Sequence, residues 1–112
     1  MKKPLLTAII LGSAPFAVLV TAFAADVGTN WKEHCAKCHG DTGKGDTKMG
    51  RKLSISDLTD PKVQAKFTDE ESLKAMKEGV KDKDGKVAMK PIEGVSEAEM
   101  KELVAYVRGL KK

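Results

Sequence analysis

At 112 residues, with twenty basic against sixteen acidic side chains, the chain has room for one domain and a net charge of only +4. That near balance makes nucleic acid an unnatural partner. Aromatic residues make up 4% of the sequence, so its own side chains supply only a thin core for a domain of this size.

Met1-Lys2-Lys3 is followed by a run from Pro4 to Ala25 without a charged residue, closing on Ala22-Phe23-Ala24. A basic start, an apolar run and a small-x-small close predict a signal peptide over residues 1–24 and a mature domain over 25–112. The run also approaches the ~20 residues that span a bilayer, so an uncleaved anchor facing the periplasm is the alternative. Pro15 and the Ala-x-Ala ending favour cleavage. Loss of Lys2 and Lys3 would leave eighteen basic residues against sixteen acidic ones.

From Asp26 to His39 the residues Val27, Trp31, Cys35 and Cys38 recur at helical spacing, with Asp26 at the N-cap. Within this stretch lies Cys35-Ala36-Lys37-Cys38-His39, two cysteines three apart followed at once by histidine, the pattern of c-type haem attachment. Positions i, i+3 and i+4 of a helix share a face, so both thiols and the imidazole would address one flat ligand. Cys35 and Cys38 would add to the haem vinyl groups as thioethers, and His39 would take one axial site on the iron.

Other chemistries use the same residue types. A thioredoxin-like pair expects a βαβ setting, and no alternating strand flanks Cys35. Structural zinc needs four ligands, whereas only His34, Cys35, Cys38 and His39 are at hand, crowded together. An iron–sulfur cluster fails on the same count, and a Cys35–Cys38 disulfide is not forbidden by the spacing. A bound haem would also add buried surface to a thin core, as metals and disulfides do in other small folds.

Three glycines and the aspartates between Gly40 and Asp46 predict an irregular loop. No strand precedes it and no Gly-Lys-Ser/Thr follows, so a phosphate cradle is not expected. Thr47 to Lys66 carries scattered apolar residues, with Asp60-Pro61 turning into a short helix. Thr68 and Glu71 form a capping-box pattern that opens a helix from Asp69 to Glu78, with Leu73 and Met76 on one face and Gly79 as its stop. Lys81 to Lys86 is a charged turn, and Val87 to Val95 a loop carrying Met89 and Pro91. Ser96 and Glu99 make a second capping box ahead of Met100, Leu103, Val104, Val107 and Leu110 at helical spacing. With no segment alternating over a strand's length and no internal repeat, the expected class is all-α: three to four helices wrapped around one covalently attached haem c.

A methionine thioether would close the second axial site and raise the reduction potential. Met1 leaves with the leader, and Met49 lies ten residues past His39 at the edge of the glycine loop. Met76 and Met100 sit on apolar helical faces, where packing is the ordinary role of a flexible thioether. Met89, fifty residues beyond His39 in a non-helical loop, has chain enough to pass round the macrocycle and is the expected distal ligand. His34 is directed away from that face by its place on the first helix.

Four features now stand together: Trp31 four residues before Cys35, the run Cys35-Ala36-Lys37-Cys38-His39-Gly40, the Met89-Lys90-Pro91 loop, and a last helix reading Leu103-Val104-Ala105-Tyr106-Val107-Arg108. In these the whole mature chain resembles class I cytochromes c. The resemblance implies that the first and last helices cross beside the haem with Trp31 and Tyr106 in contact, that Met89 holds the methionine position, and that haem is attached outside a bacterial membrane. Two positions depart from the pattern. Val27 stands eight before Cys35, where family members often have a small residue, and Gly28 follows it. No proline lies between Gly40 and Asp60 to orient the proximal histidine, so a backbone carbonyl between Leu53 and Leu58 is expected to accept its other ring N–H.

With both axial sites filled, the expected function is that of an exported, monomeric one-electron carrier rather than an enzyme. Its partners would be an oxidase, a dehydrogenase or a bc1-type complex. Lys37, Lys81, Lys83, Lys86 and Lys90 would ring the haem edge and dock an acidic partner, although Asp82 and Asp84 interrupt the run. Arg51 and Lys52 are candidate partners for a haem propionate. The alternatives are a gas- or ligand-binding haem protein, which would want a distal acid–base residue and finds no spare histidine, and a cytochrome subunit of a larger membrane complex.

Overall fold

Helix α6 (Glu97–Gly109) is the element against which the others pack, and its sequence accounts for this. Ser96 and Glu99 close a complete capping box at its start, and Met100, Leu103, Val104 and Val107 form one buried face, with Leu103 0% exposed. The computed structural model describes residues 25–112 together with 2–4, 9, 12, 13 and 15. The leader expected over 1–24 therefore falls largely outside the described residues, among which no helix is long and apolar enough to cross a membrane.

Ahead of α6 come α1 (Val27–His34), α2 (Ala36–His39), α3 (Lys48–Lys52), α4 (Pro61–Gln64), α5 (Asp69–Glu78), and the strands β1 (Val80–Lys81) and β2 (Val87–Met89). The molecule is mainly helical, as expected, with more and shorter pieces than three or four helices. The first predicted helix is broken at Cys35, whose ψ of −42° is helical but whose φ of −121° is not. Asp26 holds the N-cap position without a side-chain cap bond. Helix α5 spans the predicted residues, and Thr68 accepts from the Glu71 N–H.

The segment expected as a turn and a loop pairs instead as a short antiparallel ladder, Val80 opposite Met89 and Lys81 opposite Val87. Its turn is organised by Asp82, whose carboxylate accepts the backbone N–H groups of Asp84 and Lys86, both at 2.9 Å. Three residues are too few to display alternation, so the ladder left no periodic signal.

Trp31, Cys35, Met76 and Met100 join the α6 residues in one core. Helices α1 and α6 meet as expected, the Trp31 and Tyr106 rings lying 5.1 Å apart and tilted by 37°. Beside them the buried Asn30 side-chain amide donates to the Glu99 carboxylate at 2.8 Å. At the far end of α6 the buried Gln64 amide donates to the carbonyls of Leu58 and Val107 at 2.7 and 2.8 Å. Its side-chain oxygen accepts from Arg108, whose guanidinium also donates to the Asp69 carboxylate and to the carbonyls of Gln64 and Phe67, each at 2.7 Å. A buried amide is tolerated only when satisfied in this way, and these bonds fix α4 and the start of α5 against α6.

Candidate haem site

Cys35 closes α1, and its carbonyl accepts from the Cys38 N–H at 3.2 Å and the His39 N–H at 2.9 Å. The motif is thus one turn of helix folded back on its own first residue. The glycine loop then wraps beneath it: His39 O accepts from Gly45 N at 2.7 Å, and the Thr47 hydroxyl donates to the carbonyls of Lys37 and Cys38 at 2.7 and 3.1 Å. Thr47 also caps α3 by accepting from Gly50 N. A methyl group on Gly50 would run into the carbonyl oxygens of Gly45 and Cys38, so only glycine lets α3 pass this close to the motif.

Above the motif opens a cavity of about 290 Å³ lined by Trp31, Cys35, His39, Leu58, Phe67, Met76, Met89 and Val107, with Glu71, Ser72 and Ala75 from α5. Three of the four expected site residues therefore share one apolar space, each delivered by a different element. Cys38 is half-buried on α2 and is not among the lining residues. Met49 and Met100 stay outside the cavity, whereas Met76 lines it from α5. His34 is exposed and lies 3.9 Å from the Glu33 carboxylate, away from the cavity as expected.

Both cysteines are free. Burial, reinforced by the neighbouring Cys38, pushes the Cys35 thiol up to about 11, so it stays protonated at neutral pH. Burial also holds the His39 imidazole below its ordinary value, keeping it neutral, the form in which a ring nitrogen can donate a lone pair to a metal. Its Nδ1 is enclosed and, among the described residues, has no hydrogen-bond partner. This corrects the expectation of an accepting carbonyl between Leu53 and Leu58. Within that stretch Asp57 O accepts from the Asp60 N–H and Leu58 O from the Gln64 side-chain amide. Leaving a buried polar atom unpaired costs about 1–3 kcal/mol.

Met89 ends β2 and is half-buried. Gly79, at φ +76°, brings the turn after α5 so close that an added Cβ would lie 2.5 Å from Met89 O and 3.0 Å from Pro91 N. Past Pro91, Ile92 N donates to Met76 O at 2.8 Å, returning the chain to α5. Arg51 donates to the Asp46 carbonyl at 2.7 Å, while Lys37, Lys81, Lys83, Lys86 and Lys90 are all exposed.

Sequence reasoning missed the contribution of α5. Ser72 and Met76, like Glu71 and Ala75, are four residues apart and share a face with the cavity, but the two polar members hid that face from a hydrophobic count.

The donor set fits a covalently held haem: free thiols, a neutral, half-buried imidazole, and a thioether reaching the same apolar space from another direction. Residues 24–111 match the family model described as Cytochrome c. The solved structure of the KustC0563 c-type cytochrome is similar at a TM-score of 0.66 and 32% identity, covering 79% of this chain and 100% of that one. No functionally curated protein matches the sequence. The chain belongs to the cytochrome c family, and with that membership come a covalently bound haem c and a part in electron transfer.

Proposed function

We propose that residues 1–24 are a cleaved leader and that residues 25–112 form an exported, periplasmic, monomeric one-electron carrier. In this reading Cys35 and Cys38 hold the haem as thioethers, His39 is its proximal axial ligand and Met89 its distal one. The observation that carries it is the single apolar cavity shared by Cys35, His39 and Met89.

The haem iron supplies the one-electron couple when bound. The protein's part is to hold both axial donors in place so that neither ligation nor geometry changes much between oxidation states. The surrounding apolar side chains keep water from the iron and favour the less charged, reduced form. The exposed lysines of the β1–β2 turn, with Lys37 and Lys90, would meet an acidic oxidase, dehydrogenase or bc1-type partner. Arg51 or Lys52 would meet a propionate. A displaced Met89 would favour gas binding instead.

The mass and visible spectrum of the exported protein test this. The expected mass is that of residues 25–112 plus one haem, with a far-red sulfur-to-iron band in the oxidised form. Met89→Ala should abolish that band and lower the potential. If the band persists, the sulfur ligand is Met76, the other thioether lining the cavity. A colourless protein of the polypeptide mass alone would end the proposal.

A further inference from the structure

Phe67, the residue just ahead of the Thr68 cap of α5, lines the haem cavity. Over its ring lies the guanidinium of Arg108, 4.5 Å from the centroid, where the negative face of the ring attracts a cation. One side chain therefore touches both a positive charge and the cavity. That charge is held in place. Arg108 donates to the Asp69 carboxylate and to the carbonyls of Gln64 and Phe67, each at 2.7 Å, and to the Gln64 side-chain oxygen at 2.9 Å. The Gln64 amide, 4% exposed, donates in turn to the carbonyls of Leu58 and Val107. Leu58, Phe67 and Val107 all line the cavity, so three of its wall residues are tied through their backbones to one guanidinium and its amide partner. The Arg108 side chain is 33% exposed and that of Asp69 63%, so solvent screens the anion of the pair more than the cation.

We propose that Arg108 is a positioning residue for the one-electron reaction, its charge fixed over Phe67 by Gln64 and the Phe67 carbonyl so that it favours the reduced haem, with Asp69 offsetting part of the effect. The inference rests on the haem occupying the cavity that Phe67 lines. Its physical basis is Coulombic. Reduction removes one positive charge from the iron, so a nearby cation is repelled less by the reduced form than by the oxidised one, and partial burial keeps water from screening the difference away. A forked guanidinium suits the place because it can bind three acceptor groups and keep its plane on the ring at once, which an ammonium cannot.

Potentiometric titration of the haem-bound protein at neutral pH tests this. Arg108→Met should lower the reduction potential and Asp69→Asn should raise it. Both substitutions break the same ion pair, so a purely structural role would move the potential in one direction for both, and that outcome, or no movement in either, would overturn the proposal. Asp69→Asn leaves the other bonds of the guanidinium intact and keeps the test open if Arg108→Met does not fold. Arg108→Lys retains the charge but loses the fork; it should cost stability while lowering the potential by less than half the Arg108→Met shift. An equal shift would mean that packing, not charge, sets the value. Lys101→Met makes the same charge change at a 66% exposed side chain of α6, and should shift the potential less than Arg108→Met; an equal shift would reduce the effect to net charge and remove the special place of Arg108. Proton resonance of the oxidised wild type checks the reading beneath: the Phe67 ring signals should be shifted and broadened by the iron. Unperturbed Phe67 signals in a protein that carries haem would place the haem outside this cavity, and the inference would fall with that assignment.

Discussion

On one side of the cavity, Cys35 and His39 sit in a turn whose carbonyls are almost all engaged: Cys35 O takes two N–H groups, His39 O takes Gly45 N, and the Thr47 hydroxyl bridges Lys37 and Cys38. On the other side, Met89 hangs at the end of a three-residue strand paired to two residues, with Val87 55% exposed. The first region is fixed by contacts that cross between α1, α2, α3 and α6. The second depends on one ladder, one hydrogen bond from Ile92 to Met76, and the close pass at Gly79. Segments with few buried contacts and exposed backbone bonds open at lower free energy than the rest of a molecule, so the methionine side is the one expected to let go first.

The heaviest blow to the ordered side is chemical. Cys35→Ser with Cys38→Ser should abolish covalent attachment, read as complete loss of haem stain on a denaturing gel. Stain surviving at full intensity would mean that the group is held by other residues.

Next in size is Gly50→Ala. Its methyl group would press on two backbone carbonyls of the motif and loop, neither of which can rotate away as a side-chain end could. Overpacking of this kind costs about 1–3 kcal/mol, seen as a lower denaturant midpoint in the haem-bound protein. The far-red band should survive, because the strain falls on the histidine side. Loss of the band with unchanged stability would reverse the assignment of the two regions.

Gly79→Ala is the matching intervention on the other side. At φ +76° and ψ −178° Gly79 holds a conformation reached essentially by glycine alone, which costs another residue about 1–3 kcal/mol, and the new Cβ meets Met89 O and Pro91. The expected result is a modest loss of global stability with an easily displaced sulfur ligand, measured as faster carbon monoxide binding to the reduced protein. A binding rate equal to wild type would show that the hairpin is more firmly seated than its contacts suggest.

What the sequence disclosed divides along the same line. The motif, the capping boxes and the apolar stripe of α6 are local patterns, each set by residues within a turn or two of one another, and each was legible. Helix α3 was hidden because Gly50 disfavours helix on propensity alone; the close pass over Cys38 is what requires it, and that is a tertiary fact. The Gln64–Arg108 link joins residues 44 positions apart, and Arg108 reads from the sequence as an ordinary exposed helix residue. Which backbone carbonyls come near His39 depends on how the glycine loop and α3 pack against the motif, and no local pattern in the chain advertises that. Met89 was legible as a loop methionine, whereas the hairpin that carries it was not.

The smallest effect concerns the clip between α1 and α6. The Asn30 amide, then the Ser96 hydroxyl and backbone N–H, hold the Glu99 carboxyl below its ordinary 4.5. A carboxylate whose value is depressed on folding stabilises the folded state above its unfolded value, and that contribution disappears as pH falls through the folded value. Stability should therefore decline below pH 4.5, with Asp57 and Glu97, also held low by their own partners, contributing to the same decline. Asn30→Ala removes the largest cause at Glu99 alone, so it should lower stability at neutral pH and make the acid slope shallower. Denaturant midpoints measured across that range for both proteins isolate the difference. Parallel slopes would mean that Glu99 gains its low value from Ser96, and that the helix crossing on the histidine side is held by the Trp31–Tyr106 packing without help from this ion–amide pair.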